Sequence, residues 1–323
     1  MNLKKKVGQR TFADAMTETL GGPKSEAFLQ RCDQLLPWAD LARPLDQFFT
    51  RQAHTAGAPH WPGVMMLKCL MLQKWYNLSD PALEEQLRDR LSWRRFVGLS
   101  LMDKTPDETT FVDLRKRMAP HDLERQLVRR CLEHLTRSGL LVQGGTLVDA
   151  TILEAPRPQS GRDNRGDPEA SYTKKAGQVY YGYKAHVATD PRGLIIGYEL
   201  DTAARHDSQH FDQLTQTETQ AVFADSAYMD QEREARLRMK GVYPGIIHRR
   251  VRGQEELSPG RQLLNRIAAG VRAVVELPFA WMKGQWGHGR VRYKGRRKNA
   301  SAFGLLVLAY NLKRMLNLKP LAT

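Results

Sequence analysis

Cysteine is scarce in this sequence. Cys32, Cys69 and Cys131 are three in 323 residues, far apart and odd in number. They offer neither a disulfide framework nor a zinc cluster, and the expected setting is a reduced cytoplasm. Long apolar runs are missing too. None reaches the ~20 residues that a membrane-spanning helix needs. The opening MNLKKKVGQRTF carries charge without an apolar stretch behind it, so no signal peptide is expected. Acids are in deficit: 35 Asp and Glu face 50 Lys and Arg, leaving a net charge of +15 and a pI near 9.8. A surface of that sign collects polyanions. Nucleic acid is the usual one. The rival, an anionic membrane, lacks support, since no basic amphipathic anchor or lipidation motif is present. Internal repeats and long low-complexity tracts are also absent.

The residues present are enough for a sizeable core: 41% are hydrophobic, and the length fits about two domains. Residues 1–140 are expected to form a helical domain, its first sixty residues without a usable motif. From Trp61 to Ala119 the pattern is clearer. GVMMLKCLMLQKWYNL after Pro62 reads as a buried helix, with Cys69 in its core. Asp80-Pro81 reads as an N-cap and first helical residue. Thr105 and Glu108 read as a capping box. The helix that follows, TTFVDLRKRM, carries Arg115, Lys116 and Arg117. Three short helices ending in a basic one, over about 62–119, fit a helix-turn-helix-type DNA contact through Arg115 and Arg117. They also fit a plain helical bundle with a solvated basic face.

After a helix over 120–140 the character changes. TLVDATIL (146–153) reads as a strand, and 157–177 as a polar loop. VYYGYKAHVATD and GLIIGYELDTA read as strands joined by a turn at Asp190-Pro191-Arg192-Gly193. A helix over 206–219, a strand at 221–228, a helix ending at Gly241, a strand at 243–249, a long helix over 261–283 and a last one over 301–316 complete the chain. A three-strand meander followed by alternating helices and strands implies an α/β domain over 141–323, a mixed sheet covered by helices.

Three acids sit among apolar neighbours: Asp149 in TLVDATIL, Asp225 in AVFADSAY and Glu276 in RAVVELPFAWMK. A buried carboxylate needs a cation or hydrogen-bond donors beside it. Carboxylate oxygens suit Mg²⁺, with Mn²⁺ as a substitute, and such ions can activate an attacking oxygen and stabilise a leaving one in phosphoryl transfer. The three are therefore candidate catalytic and metal-binding residues, expected to converge although 75 residues separate the first pair and 50 the second. On the helix expected over 261–283, Arg272, Glu276 and Lys283 share one face. Arg272 reads either as an ion-pair partner of Glu276 or as a phosphate contact, and Lys283 as a phosphate contact. GQWGHGRVRYKGRRK (284–298) holds Arg290, Arg292, Lys294, Arg296, Arg297 and Lys298 and no acid, with Trp281, Trp286 and Tyr293 interleaved. That mixture suits backbone contact and base stacking, or a solvated loop with buried aromatics. Lys184 joins the candidate DNA contacts. His206 and His210 lack the further ligands a zinc site needs. His186 or His206 is a candidate contact to DNA or to a metal's water. Glu154 is a candidate supporting acid, whereas Asp163, Asp167 and Asp190 read as loop acids.

Taken in order, these stretches resemble the DDE transposases of the insertion-sequence-five family. GTLVDATILEAP matches the strand of the first acid, VFADSAYMD that of the second, and Arg272, Glu276 and Lys283 match R-x3-E-x6-K within the family's Tyr-x2-Arg-x3-Glu-x6-Lys. DPEASYTKKAGQVYYGYKAHVATD, the later HDS (206–208) and PDETTFVDLRKRM are also similar to family regions, so the likeness covers roughly residues 40 to 315. It departs at Ala269, where the family has tyrosine. The resemblance implies a ribonuclease-H-like catalytic domain. It also implies transposition of a small element with terminal inverted repeats, so that double-stranded DNA, both element ends and target, is the partner. The need to join two ends points to a homodimer on DNA, acting at the bacterial nucleoid. Two other classes fit the same residues: a ribonuclease-H-like nuclease that cuts without joining, and a non-enzymatic DNA-binding protein derived from a transposase.

Overall fold

In the computed structural model, residues 24–52, 60–158, 166–218, 220–250 and 256–318 are described. The chain divides into two units, residues 1–131 with 316–323, and residues 132–315.

The first unit is helical: α1 (Lys24–Leu35), α2 (Trp38–Gln52), α3 (Gly63–Trp75), α4 (Asp80–Asp89), α5 (Leu91–Val97), α6 (Glu108–Met118) and the start of α7 (Leu123–Arg137). Helix α3 is buried almost all round, Cys69 included. Even Lys68 is buried. Its ammonium pairs with Asp33 and lies 5.5 and 4.9 Å from the ring centroids of Trp38 and Phe96, so charge and ring faces replace the lost water. The stretch expected to give three helices gives four, α3 to α6, and both expected caps shift. Ser79, not Asp80, caps α4, its hydroxyl accepting from Ala82 N at 3.3 Å. Asp107, not Thr105, caps α6, accepting from the amide and the hydroxyl of Thr110 at 2.8 and 2.6 Å. Those bonds, that of the Thr110 hydroxyl first, hold the Asp107 carboxyl below its ordinary range. In each case the residue already outside the helix in extended backbone takes the cap.

The second unit is built on a six-stranded mixed sheet of β1 (Thr146–Glu154), β2 (Ser171–Lys175), β3 (Gln178–Thr189), β4 (Ile195–Thr202), β5 (Ala221–Ala224) and β6 (Tyr243–Ile246). Strand β3 organises it. One edge runs antiparallel to β1, from Leu147 opposite Thr189 to Glu154 opposite Gly182. The other edge is shared, its first part by β2 and its second by β4. Strand β5 joins β1 in parallel and β6 joins β5 in parallel. Strand β2 lies inside the stretch expected to be loop. Its hairpin turn uses Ala176 and Gly177, both at positive φ (50° and 81°), the backbone a tight two-residue hairpin requires. Ala176 gives no sequence cue for it. At Gly182, where β1, β2 and β3 meet, a Cβ would stand 2.1 Å from the Leu153 carbonyl oxygen.

One core cluster gathers Val148, Ala188, Val222, Ala224 and Ile246 of the strands with Phe211 of α8 (Phe211–Thr215) and Leu237 of α9 (Gln231–Met239). The helix expected over 206–219 is only a 3-10 turn, Asp207–Gln209, followed by the short α8. The long helix expected over 261–283 is broken. Helix α10 (Pro259–Arg272) gives way to a 3-10 turn at Ala273–Val275, a single turn α11 (Glu276–Phe279) and a π-helical turn at Ala280–Gln285. Pro278 contributes by removing an amide donor in the middle of that run. Helix α12 (Arg296–Leu318) is longer than expected. Its buried Asn311 clamps the start of β4, accepting from Ile195 N at 2.9 Å and donating to Ile195 O at 2.8 Å.

Candidate active site

Residues Thr146 to Val148 pair in parallel with Val222 to Ala224, and each paired segment is followed at once by an aspartate, Asp149 within β1 and Asp225 directly after the end of β5. Because pairing residues of neighbouring strands share a face and successive residues alternate, the two aspartates come side by side on the same face. Both are half-buried. Asp149 Oδ1 accepts from Ala150 N at 2.8 Å. Asp225 Oδ1 accepts from Ser226 N at 2.6 Å and from the Ser226 hydroxyl at 3.1 Å. Local donors thus fix the plane of each carboxylate.

Two residues beyond Asp149, Thr151 leaves the sheet on the same face. Lys283 Nζ donates to Thr151 Oγ1 at 3.0 Å and to Ile152 O at 2.7 Å. Burial, and then the nearby charge of Lys175, hold the Lys283 ammonium below its ordinary pKa. The 3-10 turn Ala273–Val275 packs on β1 and β3 and leads directly into Glu276, whose side chain is exposed. The expected convergence is therefore uneven. The backbone register sets Asp149 and Asp225 at neighbouring positions just beyond the paired residues, but among the described residues no three His, Cys, Asp or Glu side chains are gathered to hold a metal ion. The donor set itself, two adjacent half-buried carboxylates with a third acid on the segment packed against their strand, fits a hard divalent cation.

The basic run is tied to the far end of the same strand. Glu154 N donates to Gly289 O at 3.1 Å and Val291 N donates to Glu154 O at 2.8 Å, which sets Arg290 in a parallel bridge with Glu154. Asp167 and Glu169 grip the run further on. Asp167 Oδ2 accepts from Gly295 N at 2.9 Å and from Tyr183 Oη at 2.7 Å, and Glu169 Oε2 accepts from Arg296 N at 3.0 Å. Asp167 is fully buried, and burial first, then this acid contact, pushes the Tyr183 phenol upward. Arg290, Arg292, Lys294, Arg296, Arg297 and Lys298 are all exposed.

The transposase DDE domain family matches residues 141–312, the stretch that holds both aspartates, Glu276 and the basic run. The chain belongs to that family. A second match, to the transposase domain (DUF772), covers residues 22–117. No solved structure matches the chain. Membership makes the protein a transposase with a DNA substrate, of a family that generally uses divalent metals. Among the described residues no helix is long and apolar enough to cross a membrane.

Several residues of this transposase have tasks other than those expected of them. Arg115 is nearly buried, pairs with Asp80 and donates to Gln73 Oε1 at 3.3 Å, so it links two helices instead of facing DNA; Arg117 is exposed. Lys184 pairs with Asp207 at 2.7 Å and donates to Arg205 O at 3.1 Å. Arg272 ends α10, and its side chain lies outside the described residues, as does Asp163. Between Arg272 and Lys283 the uniform α-helix that a shared face assumes is replaced by 3-10, α and π turns. Trp286 is buried against Trp281, ring centroids 6.1 Å apart, and is not available for stacking on bases. His186 is fully buried against His210, centroids 4.7 Å apart, which removes it from DNA. His210 instead meets Asp201 at 3.1 Å, and His206 Nδ1 caps its own turn at Ser208. Asp190 is a buried loop acid that accepts from the amides of Val142, Arg192 and Leu194; burial raises its pKa. The pairs Lys283–Thr151 and Asp167–Gly295 had no signal in the sequence, since 131 and 127 residues intervene.

Proposed function

We propose that this transposase is of the insertion-sequence-five type, with a ribonuclease-H-like catalytic domain, and that it cleaves the ends of a mobile element and transfers their 3′-OH groups into target DNA. The adjacency of Asp149 and Asp225 on one face of β1 and β5 carries the reading. These two, with Glu276, would hold Mg²⁺ or Mn²⁺. When bound, the divalent cation supplies Lewis-acid activation of an attacking oxygen and stabilisation of a leaving one. The chain's own residues do the rest. Lys283, braced on Thr151 and Ile152, fixes the strand beside Asp149 and presents a cation near the phosphate. Arg290, Arg292, Lys294 and Arg296 to Lys298 hold the DNA backbone. In the first reaction water attacks the phosphodiester at the element end, and the bond to the 3′ oxygen breaks to leave a 3′-OH. In the second, that hydroxyl attacks a target phosphodiester and displaces the target's 3′ oxygen. Neither needs a covalent protein–DNA intermediate. Two ends must be processed together, so the active species is a homodimer bridging them.

The test incubates wild type and Asp225→Asn with labelled end DNA, a target plasmid and Mg²⁺. The variant removes charge without bulk, so DNA binding is retained while cleavage and joining are both lost. Joining by the variant, or a phosphotyrosine or phosphoserine adduct in wild type, would overturn the mechanism. Cleavage without joining in wild type would favour a nuclease.

A further inference from the structure

The β2–β3 hairpin is not used in the mechanism above. The ladder of β1 along β3 stops at Gly182, and that of β4 stops at Tyr183. Beyond that point β2 and β3 continue as a two-stranded ribbon, from Tyr172 opposite Tyr181 to Lys175 opposite Gln178. Apart from the strand pairing, Ala155 N donates to Tyr181 O and Arg157 to Val179 O, at 2.8 and 2.9 Å. The tip is open. Tyr172, Lys174, Lys175, Gln178 and Val179 are exposed, and nothing stands within 4 Å of a Cβ built at Gly177. Among the described residues neither Lys174 nor Lys175 has a carboxylate partner.

Two cations at the tip of a ribbon need a reason. A solvated face would serve solubility, but three observations point to an anion. The ribbon grows from the same end of the sheet that anchors the acid-free basic run, since Glu154 pairs with Gly182 on one side and bridges to Arg290 on the other. After burial, the charge of Lys175 lowers the pKa of Lys283, with Glu154 opposing it, and a phosphate near the two cations would offset their repulsion. A two-stranded ribbon also has the cross-section that the major groove admits.

We propose that the β2–β3 ribbon is a DNA-contacting arm, in which Lys174 and Lys175 meet backbone phosphates of the DNA whose reacting end lies at Asp149 and Asp225. The inference rests on the transposase reading and adds a contact element to it. Gln178 and Tyr172 flank the lysines, so the arm adds reach and register, while the basic run adds bulk affinity.

Phosphate contacts are sequence-independent, so the probe is a fluorescein-labelled DNA duplex of mixed sequence, titrated with full-length protein over a series of KCl concentrations. Lys174→Gln/Lys175→Gln is expected to weaken binding roughly tenfold at low salt and to flatten the slope of log affinity against log salt by about 2, close to one per phosphate contact. The thermal midpoint should stay at the wild-type value, because both side chains are exposed. The more drastic Lys174→Glu/Lys175→Glu should weaken binding further. Affinity and slope equal to wild type in both variants would overturn the arm while leaving the transposase reading intact. A wild-type protein that does not bind the duplex would overturn both.

Discussion

Val148 pairs with Ala224 across the parallel join of β1 and β5, and each is followed immediately by an aspartate. A register shifted by one residue would send the two carboxylates to opposite faces of the sheet. The apolar residues on either side of them therefore position the reaction as much as the acids do. Val148, Val222 and Ala224 are fully buried, and that burial holds the register.

The exposed cations Arg296, Arg297 and Lys298 open helix α12 directly after the Asp167 and Glu169 grip. Neutralising all three to Gln should reduce DNA affinity and flatten the salt dependence by about 2 to 3. Fluorescence anisotropy across a salt series measures it, and an unchanged slope would place this segment away from DNA.

Asp167 is worth more to folding than its place in a loop implies. Replacing it by Ala removes the partner of the buried Tyr183 hydroxyl and of the half-buried Gly295 amide. Each lost partner costs about 1–3 kcal/mol, so Asp167→Ala should lower the denaturation midpoint clearly. Hydrogen exchange should also quicken at Gly295 and Arg296. Protection unchanged at those amides would mean that the grip is not what orders the run.

His186 links stability to acid. Burial first, then the charge of His210, lower its pKa from 6.5 to about 4, against smaller opposing effects of Asp207 and Asp201 and a further lowering by Lys184. The unfolded chain binds a proton below about pH 6.5 that the folded chain refuses until about pH 4. The histidine's contribution is therefore intact above the unfolded value and is lost as pH falls across that window, by on the order of 3 kcal/mol. His186→Phe should flatten the acid limb of a urea-denaturation series. Parallel pH profiles for wild type and variant would refute this origin.

The cysteines give a folding probe. Cys32, Cys69 and Cys131 are all buried and free. Burial pushes the Cys131 thiol up to about 12 and that of Cys69 higher still, so thiolate is negligible near neutrality. A chromogenic disulfide reagent should label none of the three in native protein and all three in denaturant. Rapid native labelling would show local opening of their helices.

Much of the site was legible in the chain itself. An aspartate inside an apolar strand-length run is costly without a task, so TLVDATIL and AVFADSAY singled out their acids, and the ordered set with R-x3-E-x6-K pointed to DDE transposases, whose domain family residues 141–312 match. Strand alternation gave β1, β3 and β4, and the acid-free run at 284–298 stood out by charge alone. These features are local, set by side-chain chemistry within one element. What the tertiary structure decided was pairing across long stretches of chain. It spent Arg115 on Asp80, Lys184 on Asp207 and Lys283 on Thr151, because a partly buried cation is stabilised by whichever acceptor the fold brings near it. Tertiary contacts also ordered SYTKK as β2, a strand too short and polar to announce itself until Gly182 of β3 lay opposite Ser171. The helix carrying Glu276 was interrupted in the same way, as the turn at 273–275 packs on β1 and β3 and Pro278 removes an amide. Which residues can pair is written in their chemistry; which ones do is fixed by register and packing, and these join residues from 11 positions apart at Ser171 and Gly182 to 132 at Thr151 and Lys283.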